Sequence, residues 1–254
     1  MGCGPGRLLQ QSIALTDDCK ITAVDNDDDF VKYTRQNISQ PNINVILDDI
    51  KTYHHPKSVT LFYSQGVHHH LPKGQQNYTY LKNVANQLIS GGYYILSDEF
   101  IPHYSNEHER SICLVIWYSH IIYHTVRSGY HYLAQEEAKT FLDDLLEGQT
   151  VEGYKTENQI KLVLASCADI NNAAEINIEQ AKHLANSLIH EIGQLSTKLP
   201  SGKTAVDLSR GDYKICEEVL RQEIESLGFS VKSIKRFGPT CDIGGMYVYL
   251  LRKN

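Results

Sequence analysis

Three glycines near the start of the chain, Gly2, Gly4 and Gly6, form a G-x-G-x-G turn that passes at once into a helix-like run from Arg7. Glycine is needed where backbone comes close to a ligand or takes a positive φ. In nucleotide-binding α/β folds such a turn joins a strand to a helix whose N-terminus faces the ligand. The dinucleotide fingerprint G-x-G-x-x-G needs glycine at position 7, where Arg7 stands, which argues against NAD and FAD. Asp25 closes the apolar run Ile21–Val24, and a carboxylate there can accept from both hydroxyls of a ribose. Asp49 closes a second such run, and a third, from Val59, enters His68, His69 and His70. Those histidines and His103 are the groups suited to taking a proton near neutral pH, with Asp98 and Glu99 as second choices.

The elements that must position these groups alternate between strand and helix. A helix is expected over Arg7 to Leu15, then strands at Lys20–Val24 and Asn44–Leu47 with a helix Phe30–Ile38 between them. Asp27 to Asp29 stand where acids favour a helix start, so they read as capping charges and not as a metal site. A strand from Val59, a helix Asn77–Leu88, a turn at Ser90-Gly91-Gly92 and a buried strand Tyr93–Phe100 follow. This alternation is the signature of βαβ units and a parallel sheet. It places Asp25, Asp49, Ser64 to His70 and Asp98-Glu99 along one rim, at the carboxyl ends of the strands, where open α/β sheets bind ligands.

In that order Gly2-Cys3-Gly4-Pro5-Gly6, Asp25, Asp49-Ile50 and Gln65-Gly-Val-His-His-His-Leu-Pro72 resemble the successive motifs of class I S-adenosylmethionine-dependent methyltransferases. The resemblance covers residues 1–102 and, more weakly, the last 27 residues. It implies a Rossmann-like α/β fold, a mostly parallel sheet ending in an antiparallel hairpin, with S-adenosyl-L-methionine as cofactor. It further implies that Gly2, Cys3, Gly4 and Gly6 approach the methionine moiety and that Asp25, with Asn26, binds the ribose. Asp49 and Ile50 would meet the adenine, and Ser64, Gln65, Gly66 and Val67 would run along the methionine side. His69 and His70 match two histidines often found after the fourth strand. In the family the glycine loop follows a first, central strand; the sequence begins at Met1, so the expectation is an N-terminally truncated enzyme.

The closing strands Gly228–Lys235 and Gly245–Leu251 resemble the family's C-terminal hairpin, and Asp212–Leu227 its last helix. One crossover helix needs far fewer residues than lie between Phe100 and that hairpin. The intervening periodicity is helical: Asn106–Arg127, Tyr132–Leu146, Glu157–Ala168 and Ile178–Leu195, with a loop at Lys198–Gly211. The expected division is therefore 1–102 with 212–254 as the cofactor-binding domain, and 103–211 as a helical insertion serving as a lid, a dimerisation arm or both. Trp117, His120 and His124 share one face of its first helix, with Tyr118 beside it. That face either encloses an acceptor, together with Asp98 and Glu99, or packs as core.

Composition limits the partners. A net charge of -6 and a pI near 6.0 give no electrostatic case for nucleic acid. Six cysteines without a C-x-x-C pair suit reduced thiols in a cytoplasm, and adjacent histidines on an extended segment point to opposite faces, so no metal is expected. No stretch is long and apolar enough for a bilayer, and the expectation is that no signal peptide precedes the glycines. The place of the Asn/Asp-Pro-Pro-Tyr-like motif of base and glutamine N-methylation holds Ser64-Gln-Gly-Val67. The expectation is a cytoplasmic enzyme methylating a small molecule, with a homodimer through the insertion as a possibility. The rival is a methyltransferase-like binding or partner protein without turnover.

Overall fold

The computed structural model describes residues 2–13, 19–71, 75–145, 157–195, 213–240 and 244–254. They form two compact units: Met1–Asp98 with Val219–Lys235 and Tyr247–Asn254, and Glu99–Glu218 with Arg236–Met246.

The first unit opens with the glycine loop and α1 (Arg7–Ile13), then β1 (Ile21–Asp25), α2 (Asp28–Asn37) and β2 (Ile43–Leu47). β1 and β2 pair in parallel from Ile21↔Ile43 to Asp25↔Leu47. The acidic run does what its position predicts: Asp27 caps α2, its side chain accepting from the Asp29 and Phe30 amides, and Asp28 and Asp29 fill the first turn. Val31, Ile38, Ala23, Val45 and Leu9 are buried together beneath α2. Each such large side chain contributes roughly 1.5–3 kcal/mol on burial.

Next come β3 (Val59–Gln65), α3 (Gln75–Gln87) and β4 (Leu88–Phe100), then α8 (Glu217–Ser226), β5 (Phe229–Thr240) and β6 (Gly244–Lys253). Their sheet has the order β3-β4-β6-β5, with β3 parallel to β4. β5 and β6 form the antiparallel hairpin, tied by Ser230 Oγ to Arg252 O and by the Asn254 amide to Gly228 O. The turn expected at Ser90-Gly91-Gly92 is instead the interior of β4. The ladder skips there, Val59 opposing Leu88 and Leu61 opposing Tyr93, and Gly91 takes φ 78°. Positive φ serves a bulge as readily as a turn, and pairing with β3 keeps the strand continuous. Among the described residues the strands thus lie in two sheets, β1-β2 and β3-β4-β6-β5. Cys3 donates its amide to Val24 O on β1, while Gly2 lies against Val67 just after β3.

The second unit is built on α4 (Glu107–Arg127), α5 (His131–Leu145), α6 (Glu157–Ile176) and α7 (Ile178–Leu195). Asn106 caps α4 by accepting from the Glu109 amide at 2.9 Å, and the Glu109 carboxylate accepts in return from the Ser105 amide at 2.8 Å. α6 runs past its expected end at Ala168 to Ile176. There Asn177 breaks the chain and accepts from the Glu179 amide to start α7. The core of this unit includes Leu114, Ile116, Ile122, Phe141, Ile170 and Ile192. The loop expected over Lys198–Gly211 lies outside the described residues. Before α8 the chain is extended, not helical as expected, with Ile215 bridging Phe100 in parallel.

Candidate functional site

The glycine loop is held from several sides within the first unit. Asp25, at the carboxyl end of β1, accepts from the Gly4 amide through Oδ2 at 2.7 Å and from the Asp27 amide through Oδ1 at 3.1 Å. The Thr34 hydroxyl of α2 donates to Gly4 O at 3.1 Å. Gly6, at φ 78°, turns the chain into α1, and a Cβ there would stand 3.0 Å from Thr34 Cγ2 and 3.1 Å from Ile38 Cδ1. Gly4, at φ 49°, differs: nothing lies within 4 Å of where its Cβ would be. The loop therefore presents an open backbone face at Gly4 and is close-packed at Gly6. Cys3 lies half-buried beside them, its thiol pushed up to about 11 by burial and then by the Asp25 charge, so it stays protonated. Val67 was expected on the methionine side, whereas Thr34 was not singled out from the sequence. For Thr34 the available signal was a hydroxyl on the apolar stripe shared with Val31 and Ile38.

A second group is assembled where β3 ends. His68, His69 and His70 form a single 3-10 turn. Asp98 on β4, 1% exposed, holds it: Oδ2 accepts from the Val67 amide at 3.0 Å and the His68 amide at 2.7 Å. Its Oδ1 lies 2.6 Å from His69 Nδ1. A carboxylate only accepts, so the shared proton belongs to Nδ1. A carboxylate-oriented imidazole of this kind is the arrangement of a general base. His68 is buried, its Nε2 3.7 Å from Glu223 Oε2, beyond hydrogen-bond reach. His70 is exposed and stacks at 4.0 Å on His69. Gly2 against Val67 brings the glycine loop and this turn together.

The remaining expected cofactor residues fall as follows. Asn26 is exposed beside Asp25. Asp49 Oδ1 accepts from the Lys51 amide at 2.9 Å, and Ile50 O accepts from Asn83 Nδ2 at 3.0 Å, which fixes the turn after β2. The Ser64 hydroxyl is turned into the core, 2.8 Å from Tyr94 OH, which in turn meets Tyr80 OH at 3.1 Å. Burial pushes Tyr80 up to about 12 and Tyr94 well above 10, so both phenols stay neutral hydrogen-bonding groups. Ser64 can thus offer a ligand only its backbone. Gln65 is exposed, with Tyr63 OH 3.5 Å from its Oε1, and the Gly66 amide donates to Ser97 O.

The other candidates belong to the second unit. Trp117 and Tyr118 are buried in its helical core, Tyr118 edge-on to Phe141 at 5.4 Å. His120 Nδ1 lies 2.9 Å from Asn171 Oδ1, and burial lowers its pKa from 6.5, favouring the neutral ring. Trp117 and His120 are brought near each other, ring centroids 6.2 Å apart. Glu99 pairs with Lys214 at 3.1 Å, and His103 with Glu218 at 3.4 Å.

Residues 1–92 match the family profile of a methyltransferase domain. No curated protein matches the sequence. Among solved structures, LepI in complex with S-adenosylmethionine is similar at 6% identity and TM-score 0.51. That likeness is one of fold; it covers 100% of this chain but only 42% of the other. An S-adenosylmethionine-dependent methyltransferase from Mesorhizobium loti is similar at 11% identity over 99% of this chain and 88% of that one, TM-score 0.49. The N-methyltransferase NodS from Bradyrhizobium japonicum is similar at 10% identity over 100% and 76%, TM-score 0.46. The matched stretch, residues 1–92, is the one over which the sequence motifs resemble class I S-adenosylmethionine-dependent methyltransferases. The residues present fit that cofactor's nucleoside and methionine ends. The backbone at Gly4 is open, and Asp25 still has acceptor capacity beyond its two amide donors.

Proposed function

We propose that this protein is an S-adenosylmethionine-dependent methyltransferase acting on a small-molecule acceptor, with the first unit holding the cofactor. One observation carries the reading: the glycine loop, pinned by Asp25, abuts the turn in which Asp98 orients His69. The cofactor supplies an already activated sulfonium methyl, so the protein's task is alignment, exclusion of water and removal of a proton from the acceptor. In this reading Gly4 and Gly6 let backbone approach the methionine end, Asp25 with Asn26 accepts from the ribose, and Asp49 with Ile50 borders the adenine. Ser64, Gln65 and Gly66 contribute backbone along the same side. His69 takes the acceptor's proton at Nε2, and Asp98 stabilises the imidazolium that forms. We read Trp117, Tyr118 and His120 as the core of the 103–211 insertion.

A net charge of -6 supports a small molecule over nucleic acid as acceptor. Five free cysteines among the described residues, three of them buried, support a reducing, cytoplasmic setting. The test is calorimetric titration of S-adenosylhomocysteine into the protein and its Asp25→Ala variant, followed by labelled-methyl transfer to a panel of small hydroxyl, amine and carbon acceptors. Binding weakened by Asp25→Ala, with transfer to a panel member, supports the reading. Binding without any transfer, or no binding at all, would overturn the reading in favour of the non-catalytic partner-protein alternative.

A further inference from the structure

A second site stands in the helical unit, built from residues that the cofactor reading does not use. The chain leaves β4 at Phe100 and returns before α8 at Ile215, and there the two segments run side by side. Phe100 bridges Ile215, and the Ile101 amide donates to Ile215 O at 3.2 Å. Just beyond this bridge, His103 on the outgoing segment faces Cys216 and Glu218 on the returning one. One ligand atom from each, a ring nitrogen, a sulfur and a carboxylate oxygen, lie within 4.8 Å of one another. We propose that His103, Cys216 and Glu218 bind a divalent, borderline-soft metal ion, with Zn2+ the ion of choice, and so clip together the two ends of the helical insertion.

The spacing of the ligand atoms suits a shared ion. Tetrahedral nitrogen and oxygen ligands at about 2.0 Å from zinc stand about 3.3 Å apart. His103 Nδ1 and Glu218 Oε2 stand 3.4 Å apart. The third ligand completes the set: the Cys216 thiol, 1% exposed, already hydrogen-bonds the Glu218 carboxylate. The His103 and Glu218 side chains are 64% and 57% exposed, so the site has a buried sulfur at its base and two solvent-facing ligands at its lip. His103 is also held from behind, its carbonyl accepting from Cys113 Sγ on α4 at 3.5 Å. Such support of a ligand's backbone fixes its aim.

The donor set selects the ion. Imidazole, thiolate and carboxylate together suit zinc, whereas magnesium and calcium require oxygen ligands throughout. One thiolate and one carboxylate neutralise the dication. On binding, a metal–sulfur bond forms and the thiol proton passes to solvent. Joining position 103 to 216–218 closes a very long loop, the case in which a clip removes most entropy from the unfolded chain. Local spacing could not reveal this site, because Cys216-x-Glu218 finds its third ligand only through the fold.

The experiment titrates metal alone into chelator-treated, full-length protein. Zinc binding is followed by calorimetry and melting, and Co2+ is used as a spectroscopic substitute. The expected result is one ion per chain, a raised melting temperature, and a thiolate-to-cobalt charge-transfer band. Cys216→Ser should abolish that band, and His103→Ala and Glu218→Gln should each weaken affinity about 10–100-fold. The last two alter exposed side chains, so they decide the matter even where Cys216→Ser fails to fold. No stoichiometric binding, a band that survives Cys216→Ser, or affinity unchanged in both exposed-ligand variants would overturn the proposal.

Discussion

Replacing Asp98 by Asn separates the two tasks assigned to this carboxylate. Its Oδ2 accepts from two backbone amides, at 3.0 and 2.7 Å, and its Oδ1 from His69 Nδ1 at 2.6 Å. Asparagine can keep its oxygen on the two amides and present its NH2 to His69. The turn then survives. The three charge-assisted bonds, worth about 1.5–3 kcal/mol each, become neutral ones worth about 0.5–1.5, a net loss of about 1–2 kcal/mol after relief of the buried charge. For a chain of this size that lowers the melting temperature by about 2–8 °C. The effect on His69 is larger in kind. Facing an NH2 donor, Nδ1 must become the acceptor, which moves the ring proton to Nε2 and removes the lone pair from the atom proposed as base. Long-range nitrogen–proton NMR of the histidine rings reads this directly, with no acceptor needed: Nδ1–H in the wild type, Nε2–H in Asp98→Asn. With an acceptor that carries a proton, turnover should fall about 10²–10⁴-fold, the span of general-base catalysis, while S-adenosylhomocysteine affinity stays within about threefold. An unchanged tautomer, or turnover within about threefold of wild type, would refute the role of Asp98 as orienter. Asp98→Ala is the less informative variant, since it strands two buried amides at about 1–3 kcal/mol each.

Asp25→Ala should weaken S-adenosylhomocysteine binding by about 1.5–3 kcal/mol, the worth of one charged hydrogen bond, read by calorimetry; equal affinity would displace the ribose assignment. Gly4→Ala and Gly6→Ala form a contrast. Both place alanine at positive φ, at about 1–2 kcal/mol, but Gly6→Ala also crowds Thr34 and Ile38 at 3.0–3.1 Å and should cost about 1–3 kcal/mol more in a melt. Gly4→Ala should be the milder in stability yet lose at least about tenfold in cofactor affinity, and the reverse order would contradict the open face at Gly4. Trp117→Ala should destabilise the protein by about 3–5 kcal/mol as a core cavity, seen by denaturant unfolding; a change in turnover at full stability would return Trp117 to the acceptor pocket. Glu109 has its carboxyl lowered from 4.5 to about 2, chiefly by the hydrogen bond from Lys182 at 2.7 Å and then by the Ser105 amide. Because the folded pKa is depressed, its contribution is full above about 4.5 and is lost as pH falls towards 2. The group is partly solvent-screened, so Glu109→Gln should lower stability by at most about 1 kcal/mol at pH 7, a difference that melts should find shrinking below pH 4.

What could be read from the sequence was what neighbouring residues decide. Asp27 caps α2 because an N-cap accepts from amides two and three residues on, and Asn106 with Glu109 starts α4 by the same local rule. The Gly91-Gly92 pair shows where such rules stop: its backbone suits a turn, and only pairing with β3 makes it a bulge inside β4. Asp98 was legible as an acid on the binding rim. Its use was not, because its partners Val67, His68 and His69 lie about thirty positions away and meet it only across β3 and β4. Ser64 gives the converse lesson. Its place in the motif suggested a polar contact, but a strand alternates its faces, and this hydroxyl falls on the side of Tyr94 and Tyr80. Residue type names the chemistry that a position could perform; the face and the partner decide whether it performs it. His103 is the sharpest case here. As a lone histidine after β4 it was one more candidate base, and only the return of the chain at Ile215 sets it against a thiol and a carboxylate. That change of neighbours turns a proton acceptor into a metal ligand.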